Sequence, residues 1–96
     1  MFRPDFPPHV AESIRHFSPD LKCSIKAAVR ALCVNPSEGT SLVKELEDLW
    51  KYRVRRFRIV YAIDRRRKVI RIMAVVHRRS VYEEVAELVK RKEVSE

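Results

Sequence analysis

The chain has 96 residues, 46% hydrophobic and 35% charged. That supplies one modest apolar core and excludes a multidomain enzyme, so a single domain over residues 1–96 is expected. No apolar run approaches the roughly 20 residues a membrane span needs, and Met1-Phe2-Arg3-Pro4-Asp5 lacks the apolar stretch of a secretory leader. A cytoplasmic protein with no membrane contact is expected.

The net charge of +8 is unevenly placed. Lys51 to Arg79 holds 12 basic residues and one acidic residue, Asp64, for a segment charge of +11; the rest of the chain holds 9 basic and 12 acidic, for −3. Ten of those 12 cations are Arg, whose planar fork suits phosphate, so the segment reads either as a polyanion-binding surface or as a solvated, Arg-rich sheet face. Cys23 and Cys33 are ten positions apart in what reads as one helix, about 15 Å along its axis, too far for a disulfide. His9, His16 and His77 stand singly and no zinc-like spacing occurs, so neither a metal nor a cofactor is expected.

In chain order, Pro4, Pro7 and Pro8 leave room for at most a very short edge strand before Pro8 starts a helix. Val10, Ala11, Ile14 and Phe17 recur at helical spacing. Ser18 is a good N-cap, Pro19 fits the first helical position, and Asp20 suits the positive end of the dipole. Leu21, Ile25, Ala28, Val29 and Leu32 then form one apolar stripe ending before Asn35-Pro36. The two helices read as a helical hairpin, and Asn35 to Thr40, with Pro36 and Gly39, as a turn.

From Tyr52 the period becomes two: Tyr52 and Val54, then Phe57, Ile59, Tyr61 and Ile63. Parity changes between Val54 and Phe57, so Arg55-Arg56 is expected to be a tight hairpin or a bulge. Asp64 to Arg67 is the next turn. Residues 68–76 place Ile70, Ile72, Ala74 and Val76 on one face and Val69, Arg71, Met73 and Val75 on the other, as in a central, covered strand. Ser80-Val81-Tyr82-Glu83 is a capping-box pattern opening a last helix with Val85, Leu88 and Val89 on one side. The expected class is α+β: an N-terminal helical hairpin on a small, mainly antiparallel sheet of three clear strands, with a possible short N-terminal edge strand and a C-terminal helix.

Alternation places Arg53, Arg55 and Arg58 around one bend, while Arg78 and Tyr82 fall where the third strand meets the last helix. A set of Arg plus one Tyr, without paired carboxylates, metal ligands or a Ser-His-Asp set, has no strong nucleophile of its own. It suits a reaction in which the substrate supplies one, as RNA does through the 2'-hydroxyl beside its phosphate. His77 is a candidate acid or base, since an unperturbed imidazole titrates near pH 6.5, or else a residue pointing into the core. Arg65, Arg66, Arg67 and Lys68 offer diffuse attraction to RNA, or simply solubility. Trp50 and Tyr61 read as core or interface residues.

The run Leu46-Glu47-Asp48-Leu49-Trp50-Lys51-Tyr52-Arg53-Val54-Arg55-Arg56-Phe57-Arg58-Ile59-Val60-Tyr61, with Val76-His77-Arg78-Arg79-Ser80-Val81-Tyr82, resembles the RelE/ParE superfamily of type II toxins. The resemblance is strongest over residues 42–85. It implies a toxin that enters the ribosomal A site and cleaves mRNA there without metal, held inactive by a cognate antitoxin, with a hetero-oligomeric complex of the two on operator DNA as a further expectation. It places Arg58, Arg78, Tyr82 and His77 in the catalytic set and Arg53, Arg55, Arg65, Arg66, Arg67 and Lys68 on RNA. Tyr82 falls on the tyrosine implicated in deprotonating the 2'-hydroxyl; a phenol titrates near pH 10, so that role calls for neighbouring cations. Two alternatives stand beside it: a ParE-type toxin that acts on DNA gyrase without cleaving RNA, and an inactive, antitoxin-bound repressor module. The chain departs from the family pattern in its short N-terminal strand, and in Asp48 and Val76 where glycine is common.

Overall fold

The computed structural model describes residues 1–43 and 49–94. Leu46, Glu47 and Asp48, and the side chain of Val89, lie outside the described residues.

Strand β1 (Arg3–Asp5) is followed by helices α1 (Pro8–Arg15) and α2 (Pro19–Val34). As expected, α2 opens on Ser18, whose hydroxyl accepts from the Leu21 amide, with Pro19 in the first turn. A short 3-10 turn (Pro36–Glu38) leads to β2 (Thr40–Val43), then β3 (Leu49–Val54), β4 (Phe57–Asp64) and β5 (Val69–His77). A second 3-10 turn (Arg78–Ser80) leads into α3 (Val81–Val94). The strands form one sheet in the order β1-β5-β4-β3-β2, antiparallel except where β1 joins β5. The class matches the expectation, with five strands rather than three or four.

The added strand is β2. Thr-Ser-Leu-Val is too short to show a period of two, and its pairing with β3 is broken by a bulge between Ser41 and Val43. What holds it in place is remote in sequence. The wholly buried Tyr61 donates its hydroxyl to the Pro36 carbonyl (2.7 Å) and accepts from the Gly39 amide (3.2 Å), tying the turn before β2 to the centre of β4.

The second departure is in β5. Val60 pairs with Ala74, but Tyr61 pairs with Ile72, so Met73 is an extra residue and the strand changes parity there. Ile70, Ile72 and Val75 therefore join Ile59, Tyr61 and Ile63 beneath the helical hairpin, packed on Leu21, Ile25, Val29 and Leu32. Ala74 and Val76 instead face α3, with Leu49, Val60, Val85 and Leu88. The expected grouping of Ile70, Ile72, Ala74 and Val76 on one face is thus corrected. Val76, one of the departures from the family pattern, fills the smaller core.

Candidate nucleic-acid interface

The strand register decides which cations meet. Val54 pairs with Phe57, so Arg55 and Arg56 form a two-residue hairpin, and Arg55 holds φ at 55° in the left-handed region where an L residue is strained. Arg53 lies directly opposite Arg58, and Lys51 opposite Val60, on the face that carries α3. Like charges opposed across a ladder destabilise a sheet. Arg58 is turned toward the hairpin, where one terminal nitrogen donates to the carbonyls of Phe57 (2.8 Å) and Arg55 (3.2 Å).

Arg78 is brought to the same end by its backbone: its amide donates to the Arg56 carbonyl at 2.7 Å, extending the ladder one step past β5. Tyr82 follows in the first turn of α3 and is 72% exposed, with the Lys51 ammonium 5.5 Å from its ring centroid. Arg53, Arg55, Arg58, Arg78 and Tyr82 therefore gather at one end of the sheet. Among the described residues the ion pairs are Arg15 and His16 with Glu12, and Arg71 with Asp5, so no carboxylate is paired with this cluster. An unneutralised group of guanidinium ions raises the local positive potential and suits a polyanion.

His77 is placed differently. It pairs with Phe57, and the two rings meet edge-on at 5.7 Å on the side of the helical hairpin, where Phe17 also contacts Phe57. Its Nδ1 accepts from the Arg79 amide at 3.2 Å, capping the 3-10 turn that starts with Arg78. The sheet separates this ring from the face that carries Arg53 and Arg58. Arg65, Arg66, Arg67 and Lys68 are exposed in the β4–β5 turn, at the other end of the sheet. Seven steps along β4 at about 3.4 Å put that turn about 24 Å from the hairpin.

Lys51 and Arg56 were missed as parts of the cluster. Lys51 was legible, because it lies two residues from Arg53 on the same strand face. Arg56 contributes a backbone carbonyl, which no side-chain pattern announces. Among the described residues no group of His, Cys, Asp and Glu could hold a metal ion, and no helix is long and apolar enough to cross a membrane.

The fold and the hairpin cluster define a small, basic α+β domain with cations gathered at one end of its sheet. Residues 9–82 match the sequence profile of the ParE toxin of type II toxin–antitoxin systems, so the chain belongs to that family and is a type II toxin of the RelE/ParE superfamily. No curated protein matches the sequence. Among solved structures, a mutant of Escherichia coli toxin RelE in the free state is similar at a TM-score of 0.76 and 19% identity, covering 94% of this chain and 96% of that one. A chain of the intact E. coli RelBE toxin–antitoxin complex matches at 0.71 and 16%, covering 80% of this chain and 96% of that one. An archaeal RelE–RelB complex from Pyrococcus horikoshii matches at 0.68 and 18%, covering 80% and 94%. At these identities the likeness establishes the fold.

Proposed function

We propose that this toxin is a metal-independent, ribosome-dependent endoribonuclease that cleaves mRNA in the A site, and that a cognate antitoxin silences it. The observation carrying the proposal is the 2.7 Å bond from the Arg78 amide to the Arg56 carbonyl, which joins Arg78 to the hairpin bearing Arg55 and Arg58, beside Tyr82. The reaction needs no protein nucleophile. The 2'-hydroxyl loses its proton to the phenolate form of Tyr82, favoured by the neighbouring cations, its oxygen bonds to the adjacent phosphorus, and the bond from phosphorus to the 5'-oxygen breaks. The products are a 2',3'-cyclic phosphate and a 5'-hydroxyl, whose oxygen takes its proton from water as it leaves. Arg53, Arg55, Arg58 and Arg78 supply cations for the charge that builds on the phosphoryl oxygens. His77, across the sheet and bonded to Arg79, serves this reading by fixing the turn that carries Arg78. Binding of the antitoxin is supported by the solved RelE–RelB relatives, and an acidic segment would complement the basic end. The cytoplasm, where ribosomes and mRNA meet, is the address this reading requires.

The test is induction in cells followed by mapping of mRNA 5' ends, with Arg78→Ala as control. Cleavage inside translated codons that disappears in the variant is the expected result. The matched profile, that of a ParE toxin, favours a second reading, action on DNA gyrase. Arrested growth with intact mRNA and broken DNA would select it. Growth indifferent to expression would select an inactive repressor module.

A further inference from the structure

The cations gathered at the hairpin end, and Tyr82 beside them, belong to side-chain types that change charge near pH 10 or above. An imidazole titrates near pH 6.5, and the one at this end, His77, is bonded to the turn that carries Arg78. We propose that His77 is a pH-responsive positioning residue: neutral, it holds the Arg78 turn in place, and protonated it releases the turn, so that acid weakens the toxin. Its effect on cleavage rests on the ribonuclease reading; the release of the turn does not.

Three observations carry it. The first is the direction of a hydrogen bond. Nδ1 of His77 accepts from the Arg79 amide at 3.2 Å, and His77 caps the 3-10 turn from extended backbone, at φ −61° and ψ 145°. An accepting Nδ1 carries no proton, so the neutral ring bears its hydrogen on Nε2. A second proton turns Nδ1 into a donor that faces another donor, and the cap is lost.

The second is what the cap holds. The Arg78 amide bonds to the Arg56 carbonyl at 2.7 Å, and the Arg79 amide bonds to the imidazole. These amides belong to the two peptide units that flank the Arg78 α-carbon. Fixing both sets the backbone angles of Arg78, and with them the direction in which its side chain leaves the turn. Loss of the cap frees one of the two units.

The third is the setting. The half-buried ring lies edge-on to Phe57 at 5.7 Å, with Phe17 packed on Phe57 at 5.2 Å, so packing keeps the imidazole beside the turn. The charged neighbours on its own turn are Arg78 and Arg79. The hairpin adds Arg55 and Arg56, which with Phe57, Ser18 and Leu21 line a groove on the helical side. Beyond Phe17, Arg15 and His16 are held by Glu12. The first turn of α2 carries Asp20, and that of α3 carries Glu83 and Glu84. Among the described residues none of these carboxylates pairs with His77, so no ion pair takes over the turn when the ring is charged.

The experiment follows mRNA cleavage on programmed ribosomes by the full-length toxin between about pH 8 and about pH 6. Ratios between variants cancel the titration of Tyr82 and of the ribosome, which all variants share. His77→Asn offers the Arg79 amide an acceptor that does not titrate, and His77→Leu offers none. At pH 8, His77→Asn should cleave about fivefold faster than His77→Leu, the usual worth of a cap. As the pH falls to about 6, the ratio of parent to His77→Asn should drop about two- to threefold, with its midpoint in the imidazole range. The ratio of His77→Leu to His77→Asn should stay level. A parent-to-Asn ratio indifferent to pH, or equal rates for Asn and Leu, would overturn the proposal.

Nuclear magnetic resonance of the free toxin reads the release without cleavage. The neutral His77 ring should carry its proton on Nε2, and the Arg79 amide proton should move upfield as acid is added, in the parent and in His16→Gln alike. An Arg79 amide that ignores pH, or that responds only while His16 is present, would also overturn it. Absence of cleavage at every pH would defeat the ribonuclease reading and leave this titration to decide whether His77 releases the turn.

Discussion

Replacing Tyr61 by Phe isolates the bond network that connects the helical half of the chain to the sheet. The ring is wholly buried and stacks on Trp50 at 6.4 Å, and phenylalanine keeps that packing. What is lost is the hydroxyl, with its 2.7 Å bond to the Pro36 carbonyl and its 3.2 Å bond from the Gly39 amide. Pro36 is buried, so its carbonyl is left without a donor and away from water, a loss of about 1–3 kcal/mol. Gly39 is only half-buried, and water can replace part of its bond. The expected destabilisation is about 2 kcal/mol, which in a domain of this size lowers the melting temperature by about 8–16 °C. Urea unfolding followed by circular dichroism measures it, and the slope with denaturant should be unchanged. A loss below about 0.5 kcal/mol would refute the argument, because it would mean that the buried carbonyl finds another donor.

Gly39→Ala should destabilise the same corner, because a β-carbon there would press on the Lys51 carbonyl and lie 2.5 Å from the Tyr61 hydroxyl; a melting temperature equal to the parent's would show that the β2–β3 contact can yield. Arg55→Gly should separate stability from function: release of the left-handed φ keeps the protein as stable or adds up to about 1 kcal/mol, while toxicity falls with the lost cation. Full toxicity in that variant would remove Arg55 from the site. Burial pushes the Cys33 thiol up from its ordinary range, so less of it is thiolate at a given pH; Cys23 is exposed. Thiol reagent at pH 8 should therefore modify one cysteine quickly and the second only on unfolding, and equal rates would contradict the packing of α2.

The sequence by itself determined what local chemistry controls. Ser18-Pro19 starts α2, Asn35 stops it, and alternation sets β3 and β4 with a two-residue turn at Arg55-Arg56. The charge segregation and the motif around Arg53, Arg58, Arg78 and Tyr82 were legible for the same reason: each is a pattern within a short window. Tertiary structure alone decided what depends on register between distant segments. β2 exists because Tyr61 reaches back 25 positions to Pro36, and nothing within Thr40–Val43 announces a strand. The Met73 bulge is invisible in a run of apolar residues, yet one extra residue reverses every later side chain in β5. That reversal sends Val76 to the smaller core and His77 to the face opposite Arg58, and leaves Arg71 on the face of the hairpin cluster. A period of two predicts which residues share a face only until the first bulge, and pairing with β4 is what fixes where that bulge falls.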